Sequence, residues 1–173
     1  FDKKFIMKLI YRPEIDGLRA IAVVSVILYH FQISILDYQT FSGGFIGVDI
    51  FFVISGYLIT LIILKELVTT GKFSFKFFYE RRIRRLIPLL LVVIIITIPF
   101  ALYYLLPNDL MDYSKSIIYS LFFGSNFYFH HVSQQYGAES ALYIPFLHTW
   151  SLSIEEQYYL LFPVILILLF KYL

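Results

Sequence analysis

The sequence predicts an all-α protein built as a polytopic bundle of transmembrane helices, and three observations carry that prediction. The 173 residues are 60% hydrophobic, 20% aromatic and only 15% charged, against roughly 45–50% apolar and 25% charged in a typical soluble domain. Apolar runs recur at lengths near the ~20 residues that a helix needs to cross a bilayer. The basic residues gather in the segments between those runs.

Three runs meet the span criterion, at residues 18–36, 45–64 and 86–106. A fourth, 148–170, opens on the polar, acidic stretch HTWSLSIEEQ and continues as YYLLFPVILILLF, which reads as a helix entering the membrane at its N-terminal end. Segment 1–11 is expected to be cytoplasmic. Lys3, Lys4, Lys8 and Arg12 precede the first span, and Lys65, Lys72, Lys76, Arg81, Arg82, Arg84 and Arg85 lie between the second and third. By the positive-inside tendency both regions face the cytoplasm. The connection 37–44 carries no Lys or Arg and 107–147 carries Lys115 alone, so both fit the outside. The stretch SIIYSLFFGSNFYF, residues 116–129, is apolar yet short and broken by Ser, Gly and Asn. It reads as a re-entrant or interfacial element, with four spans in all; if it spanned fully, the fourth span would invert.

The absence of cysteine excludes disulfides and thiolate metal sites. No short apolar region with a small-residue cleavage site precedes the first span, so a removable signal peptide is not expected. Met7 opens MKLIYRPEIDGLRA, so the six residues before it read either as protein or as upstream sequence. No metal-ligand set and no nucleic-acid motif is apparent.

Several ionisable residues stand where bland composition does not require them. Arg19 and His30 are eleven positions apart, which returns to nearly the same helix face about 16 Å further along. An ionisable group inside a span is costly and marks a candidate functional site; the alternative is a histidine hydrogen-bonded for packing. Asp49, near the outer end of the second span, needs a partner for the same reason. His30 is the expected one, because a carboxylate on one ring nitrogen fixes the tautomer and frees the other nitrogen as a general base. Capping of the helix start explains Asp49 equally well. Gly43, Gly44, Gly47 and Gly56, with Ser55, permit close helix contact or backbone approach to a ligand, and packing alone explains them equally well.

The run Glu80-Arg-Arg-Ile-Arg-Arg-Leu-Ile-Pro88 sets four guanidinium groups before the third span. Their planar forks suit the phosphates of an acyl-carrier nucleotide, although such clusters also hold helices at an anionic leaflet. In the fourth segment Ser153-x-x-Glu156 matches a capping box. Glu155 and Glu156, with His148 and Trp150, equally offer hydroxyl acceptors and a stacking ring for a sugar. His130 and His131 read as solvated or interfacial.

Together the blocks RPEIDGLRAIAVVSVILYHF, GGFIGVDIFFVISGYLI, FYERRIRRLIPLL, SNFYF and LHTWSLSIEEQYYLLFP, in that order, resemble the acyltransferase family 3 membrane proteins. These are the O-acyltransferases and O-acetyltransferases that modify bacterial surface polysaccharide, O-antigen or peptidoglycan. The resemblance covers residues 12–173 and implies the N-terminal part of that domain. It implies that Arg19 and His30 are an Arg-x10-His pair with His30 catalytic, and that Arg82 and Arg85 form an Arg-x-x-Arg motif serving the acyl donor. Asp49, Glu155 and Glu156 match other motifs of the family and are carried as catalytic candidates. It further implies acetyl-CoA as donor substrate with no tightly bound cofactor. The remaining partners implied are a glycan acceptor and the lipid bilayer of the bacterial cytoplasmic (inner) membrane, with the N-terminus inside and no nucleic acid. The departure is length: the family has around ten spans, so this chain reads as a fragment of a larger bundle. A glycan exporter or flippase module and an inactive remnant are the competing readings.

Overall fold

The computed structural model describes residues 12–32, 34–35, 38–39, 41–134 and 144–172. Segment 1–11, with Lys3, Lys4 and Lys8, lies outside the described residues, as does most of the connection between the second-to-last helix and the last. Six helices and one two-residue strand pair are present among the described residues. They fall into two compact units, one formed by the chain up to Phe73 with residues from Leu166 on, the other by Ser74–Ile165.

In the first unit, α1 runs Pro13–His30. Pro13 at its first turn presets φ and sacrifices no helical hydrogen bond, while Glu14 and Asp16 in the first turn complement the helix dipole. Arg12 closes the start, its Nε donating to Glu14 Oε1 at 2.6 Å and its Nη1 to the Tyr57 hydroxyl at 3.0 Å. The Glu14 carboxyl is held below the usual carboxylate range by its own backbone N–H and then by Arg12. The expected span 18–36 does not continue past His30. Gln32 adopts a left-handed φ of 48°, which a helix cannot propagate. The chain then forms β1 (Ser34–Ile35), paired antiparallel with β2 (Tyr38–Gln39) in the register Ser34 to Gln39 and Ile35 to Tyr38.

Helix α2, Ile46–Thr70, ends on Gly71 at φ 71°, whose N–H returns to the Leu67 carbonyl at 2.9 Å. That left-handed cap is the ordinary use of glycine after a helix. Helices α1 and α2 meet where two glycines leave room. A Cβ on Gly44 would stand 2.2 Å from the Ser25 carbonyl oxygen, and one on Gly47 would stand 2.4 Å from that of Ala22 and 2.7 Å from Val26 Cγ2.

In the second unit, α3 spans Phe75–Tyr104, starting at Ser74, whose hydroxyl accepts from the Phe77 N–H at 3.5 Å. It is longer than the expected span 86–106 because the arginine run is itself helical. Helices α4 (Pro107–Leu121) and α5 (Ser125–Ser133) follow, separated by a turn in which Phe123 has φ 52°. The element expected at 116–129 is thus two helix pieces broken at the Phe-Phe-Gly turn. Helix α6 runs Thr149–Tyr172. Leu90, Ile94 and Ala101 of α3, Tyr113 of α4, Phe129 of α5 and Phe146 form the core, and Thr97 Oγ1 bonds the Tyr113 hydroxyl at 2.8 Å. Tyr128 of α5, stacked on Tyr119, has its hydroxyl pushed up to about 12 by burial and by Asp112.

Among the described residues three helices, α2, α3 and α6, are long and apolar enough to cross a bilayer by length and composition. Helix α1 is shorter, 18 residues, and carries Glu14, Asp16 and Arg19. The architecture is an all-α piece of a membrane helix bundle.

A ladder of hydroxyls fastens α4, α5 and α6. Ser120 Oγ and Thr149 Oγ1 are 2.8 Å apart, Thr149 Oγ1 reaches Ser125 Oγ at 3.0 Å, and Ser125 Oγ and Ser153 Oγ lie 2.7 Å apart. All four residues are buried. The capping box expected at Ser153-x-x-Glu156 does not form: the helix begins four residues earlier, at Thr149, so Ser153 is interior, its Oγ accepting from the Ser125 N–H and paired with the Ser125 hydroxyl. Ser153→Val is expected to destabilise the protein by about 1–3 kcal/mol, since it strands the buried amide N–H of Ser125 and leaves the Ser125 hydroxyl with Thr149 alone. Thermal unfolding of the detergent-solubilised protein checks this, and an unchanged midpoint would remove the ladder from the stability argument.

Candidate active site

The sequence candidates divide between the two units. Arg19, His30 and Asp49 belong to the first; Arg82, Arg85, Glu155 and Glu156 belong to the second.

On α1, Arg19 is half-buried, its Nη1 3.5 Å from Asp16 Oδ1. His30 is the last helical residue, exposed, with its ring edge-on to Tyr29 at a centroid distance of 5.5 Å. Its Nδ1 lies 2.8 Å from the Val26 carbonyl oxygen. A carbonyl only accepts, so Nδ1 carries the proton in this bond, and the neutral ring presents Nε2 as a lone pair. The expected Asp49 partner is therefore replaced by a backbone group. Asp49 lies in the first turn of α2, exposed, where its charge complements the helix N-terminus. Among the described residues no hydrogen bond or ion pair joins it to His30.

The arginine run is not one uniform patch. Arg84 pairs with Glu80 at 2.6 Å, one helical turn back. Arg81, Arg84 and Arg85 are exposed, whereas Arg82 is half-buried. The Arg82 guanidinium carbon sits 4.3 Å from the centroid of the Tyr159 ring and 5.8 Å from that of Phe78. On α6 the Tyr159 hydroxyl donates to Glu155 Oε1. Glu156, half-buried, lies within electrostatic reach of Arg82, Glu155 and Arg85, and its Oε1 is buried with no hydrogen-bond partner among the described residues. An ionisable oxygen in that state is expensive to keep without a ligand or a proton.

Helices α3 and α6 are tied at this level. Pro163 lacks the N–H that would serve the Tyr159 carbonyl. The next carbonyl, of Leu160, takes the Tyr79 hydroxyl at 3.0 Å. Gln157 Nε2 bonds the Phe123 carbonyl at 2.7 Å and Asn126 Oδ1 at 2.9 Å, holding the α4–α5 turn to α6. Tyr159 and Gln157, which contact the candidate residues and the turn beside them, are the residues that sequence reasoning passed over. The only local signal for Tyr159 is its place four residues after Glu155.

An open groove of about 510 Å³ is lined by Asn126, Phe127, Phe129, His130 and Ser133 of α5, by Leu147, and by Trp150 and Ile154 of α6. Trp150, read from the sequence as a stacking ring for a sugar, lines this groove together with His130, whose Nε2 is 3.0 Å from Gln134 Nε2. His131 is exposed.

Long apolar helices bearing this many ionisable groups define a membrane-embedded helical protein with polar chemistry set into its bundle. The chain belongs to the acyltransferase domain family, which matches residues 12–173. It is 43% identical over 162 residues to the protein of Staphylococcus aureus strain MSSA476 named "Putative O-acetyltransferase SAS0844", covering 94% of this chain and 26% of that one. It is 42% identical over 156 residues to the O-acetyltransferase OatA of Staphylococcus aureus strain NCTC 8325, covering 90% of this chain and 25% of that one. The chain thus spans about a quarter of the length of these curated relatives. No solved structure matches it.

Proposed function

We propose that this chain contributes the N-terminal helices of a membrane O-acyltransferase that moves an acyl group, acetyl by the names of its relatives, from acetyl-CoA to a hydroxyl of a cell-surface carbohydrate. The enzyme sits in the cytoplasmic membrane of a bacterium with its N-terminus inside. The observation that carries the reading is the ring of His30, whose proton is held on Nδ1 by the Val26 carbonyl, leaving Nε2 as the base.

In the proposed step Nε2 takes the proton of the acceptor hydroxyl as its oxygen attacks the thioester carbonyl. The C–S bond breaks, the coenzyme A thiolate leaves, and the imidazolium returns a proton to it. Arg82 and Arg85 hold donor phosphates, for which guanidinium forks are suited. The Glu155 and Glu156 carboxylates serve as acceptors of hydroxyl hydrogens, and Arg19 contributes positive charge at the inner side. The groove bearing Trp150 and Phe127, with polar tips from Asn126 and His130, suits a sugar ring that stacks on one face and hydrogen-bonds at its rim.

The reading is tested by transfer of labelled acetyl from acetyl-CoA to envelope glycan in membranes carrying the complete protein. Donor-dependent label on glycan supports it; movement of glycan across the membrane without any need for acetyl-CoA would point to an exporter instead. Trp150→Ala is expected to raise the KM for acceptor about two- to ten-fold, from the roughly 0.5–1.5 kcal/mol that a stacking contact contributes, with the donor KM unchanged. An unchanged acceptor KM would move the acceptor away from this groove.

A further inference from the structure

Resting on the proposed role of Arg82 in holding the donor, we propose that Tyr159 is a positioning residue that fixes the Arg82 guanidinium and the Glu155 carboxylate together, and so sets affinity for the acyl donor. Tyr159 is 3% exposed in the interior of α6. One face of its ring lies under the Arg82 guanidinium at 4.3 Å, closer than the Phe78 ring at 5.8 Å. Its hydroxyl donates to Glu155 Oε1, one helical turn back.

The two contacts act on opposite charges. The π face attracts the cation, and the hydroxyl satisfies the anion with a charge-assisted bond. Without the ring, a long Arg82 side chain at a helix surface samples many rotamers, and binding a phosphate then costs the entropy of freezing it. Among the described residues Arg81, Arg84 and Arg85 have no such aromatic seat: Arg84 is held by Glu80, and Arg81 and Arg85 are exposed. Arg82 is therefore the guanidinium of the run that is preorganised, and Tyr159 is the group that preorganises it. The hydroxyl contributes separately by keeping Glu155 turned to its own helix, so that it does not compete with donor phosphate for Arg82.

The test measures donor KM, kcat and the Kd for coenzyme A in the complete, detergent-solubilised protein. Tyr159→Leu removes ring and hydroxyl and is expected to raise donor KM and Kd roughly five- to thirty-fold, the range a part-buried cation–π contact supports, while acceptor KM stays unchanged. Tyr159→Phe keeps the ring and is expected to restore most of that affinity. Placing Tyr159→Leu on an Arg82→Ala background should add no further rise, because the residue acts through Arg82. The inference is overturned if Tyr159→Leu leaves donor affinity unchanged, if Phe and Leu are equally impaired, or if the rise persists without Arg82. Should Tyr159→Leu fail to insert, the comparison of Phe with wild type and a His substitution, which keeps a planar ring, carries the same test. If wild-type protein neither binds coenzyme A nor transfers acetyl, the proposed function fails and this inference with it; wild-type activity with indifferent Tyr159 variants sinks this inference alone.

Discussion

Replacing His30 with alanine in the complete protein is expected to lower acyl transfer by about 10²–10⁴-fold, the usual worth of a positioned general base, with insertion and abundance unchanged. The expectation rests on how the ring is held. Nδ1 donates to the Val26 carbonyl four residues back, and the ring sits at the end of α1, exposed, where an acceptor can reach Nε2. Helix, carbonyl and ring are one rigid unit, so the orientation of the base is built into α1 and needs no second side chain. His30→Gln separates this role from packing. Its amide N–H can still donate to a carbonyl, but it cannot take a proton, so it should be as inactive as alanine. Activity near wild type in His30→Gln would reduce the histidine to a structural bond. Asp49→Asn leaves the tautomer of His30 in place, since a backbone group sets it, and any loss in that variant reports a different duty for Asp49.

The helices were legible because apolar runs of spanning length leave few alternatives, and the region of each long helix follows from its run. Their ends were less so. Hydropathy locates the part of a helix that suits lipid, but backbone hydrogen bonding continues through polar flanks, as α2 does through Lys65–Thr70 and α3 from Phe75 through the arginine run. The end of α1 at His30 is invisible to hydropathy because it depends on the left-handed Gln32. Ser153-x-x-Glu156 resembles a cap because that spacing is all a capping box needs; the helix instead starts at Thr149, and Ser153, inside it, is taken up by a buried contact with Ser125. In the site, residue types were readable and partners were not. Two charged groups on neighbouring spans suggested a His30 and Asp49 pair, yet i to i−4 contact with a carbonyl was already available to the histidine. The seat of Arg82 on Tyr159 joins residues far apart in sequence, a pairing that no local spacing encodes.

Gly47→Val is expected to cost about 1–3 kcal/mol at the least, the range for forcing extra atoms into a packed contact, and to lower transfer along with stability. At Gly47 the obstacle is backbone: an added Cβ would lie 2.4 Å from the Ala22 carbonyl oxygen, with Val26 Cγ2 at 2.7 Å. The Ala22 backbone cannot swing away as a flexible side chain does, and the β-branched Val26 side chain has little freedom in a helix, so α1 must separate from α2. Gly44→Val meets the Ser25 carbonyl oxygen at 2.2 Å and Tyr29 Cβ at 2.7 Å, and should behave alike. The same chain positions both helices and chemistry, because Val26 supplies the carbonyl that orients His30, and Tyr29 packs edge-on against its ring. Two glycines serve as internal controls. An added Cβ on Gly17 or Gly43 meets nothing within 4 Å, so Gly43→Ala should be silent. Gly17→Ala, inside α1, should be neutral or stabilise by up to about 1 kcal/mol through helix propensity. The four variants are compared by thermal unfolding in detergent. A pattern in which Gly44 and Gly47 are as tolerant as Gly17 and Gly43 would refute the close approach of α1 and α2, and with it the account of how His30 is seated.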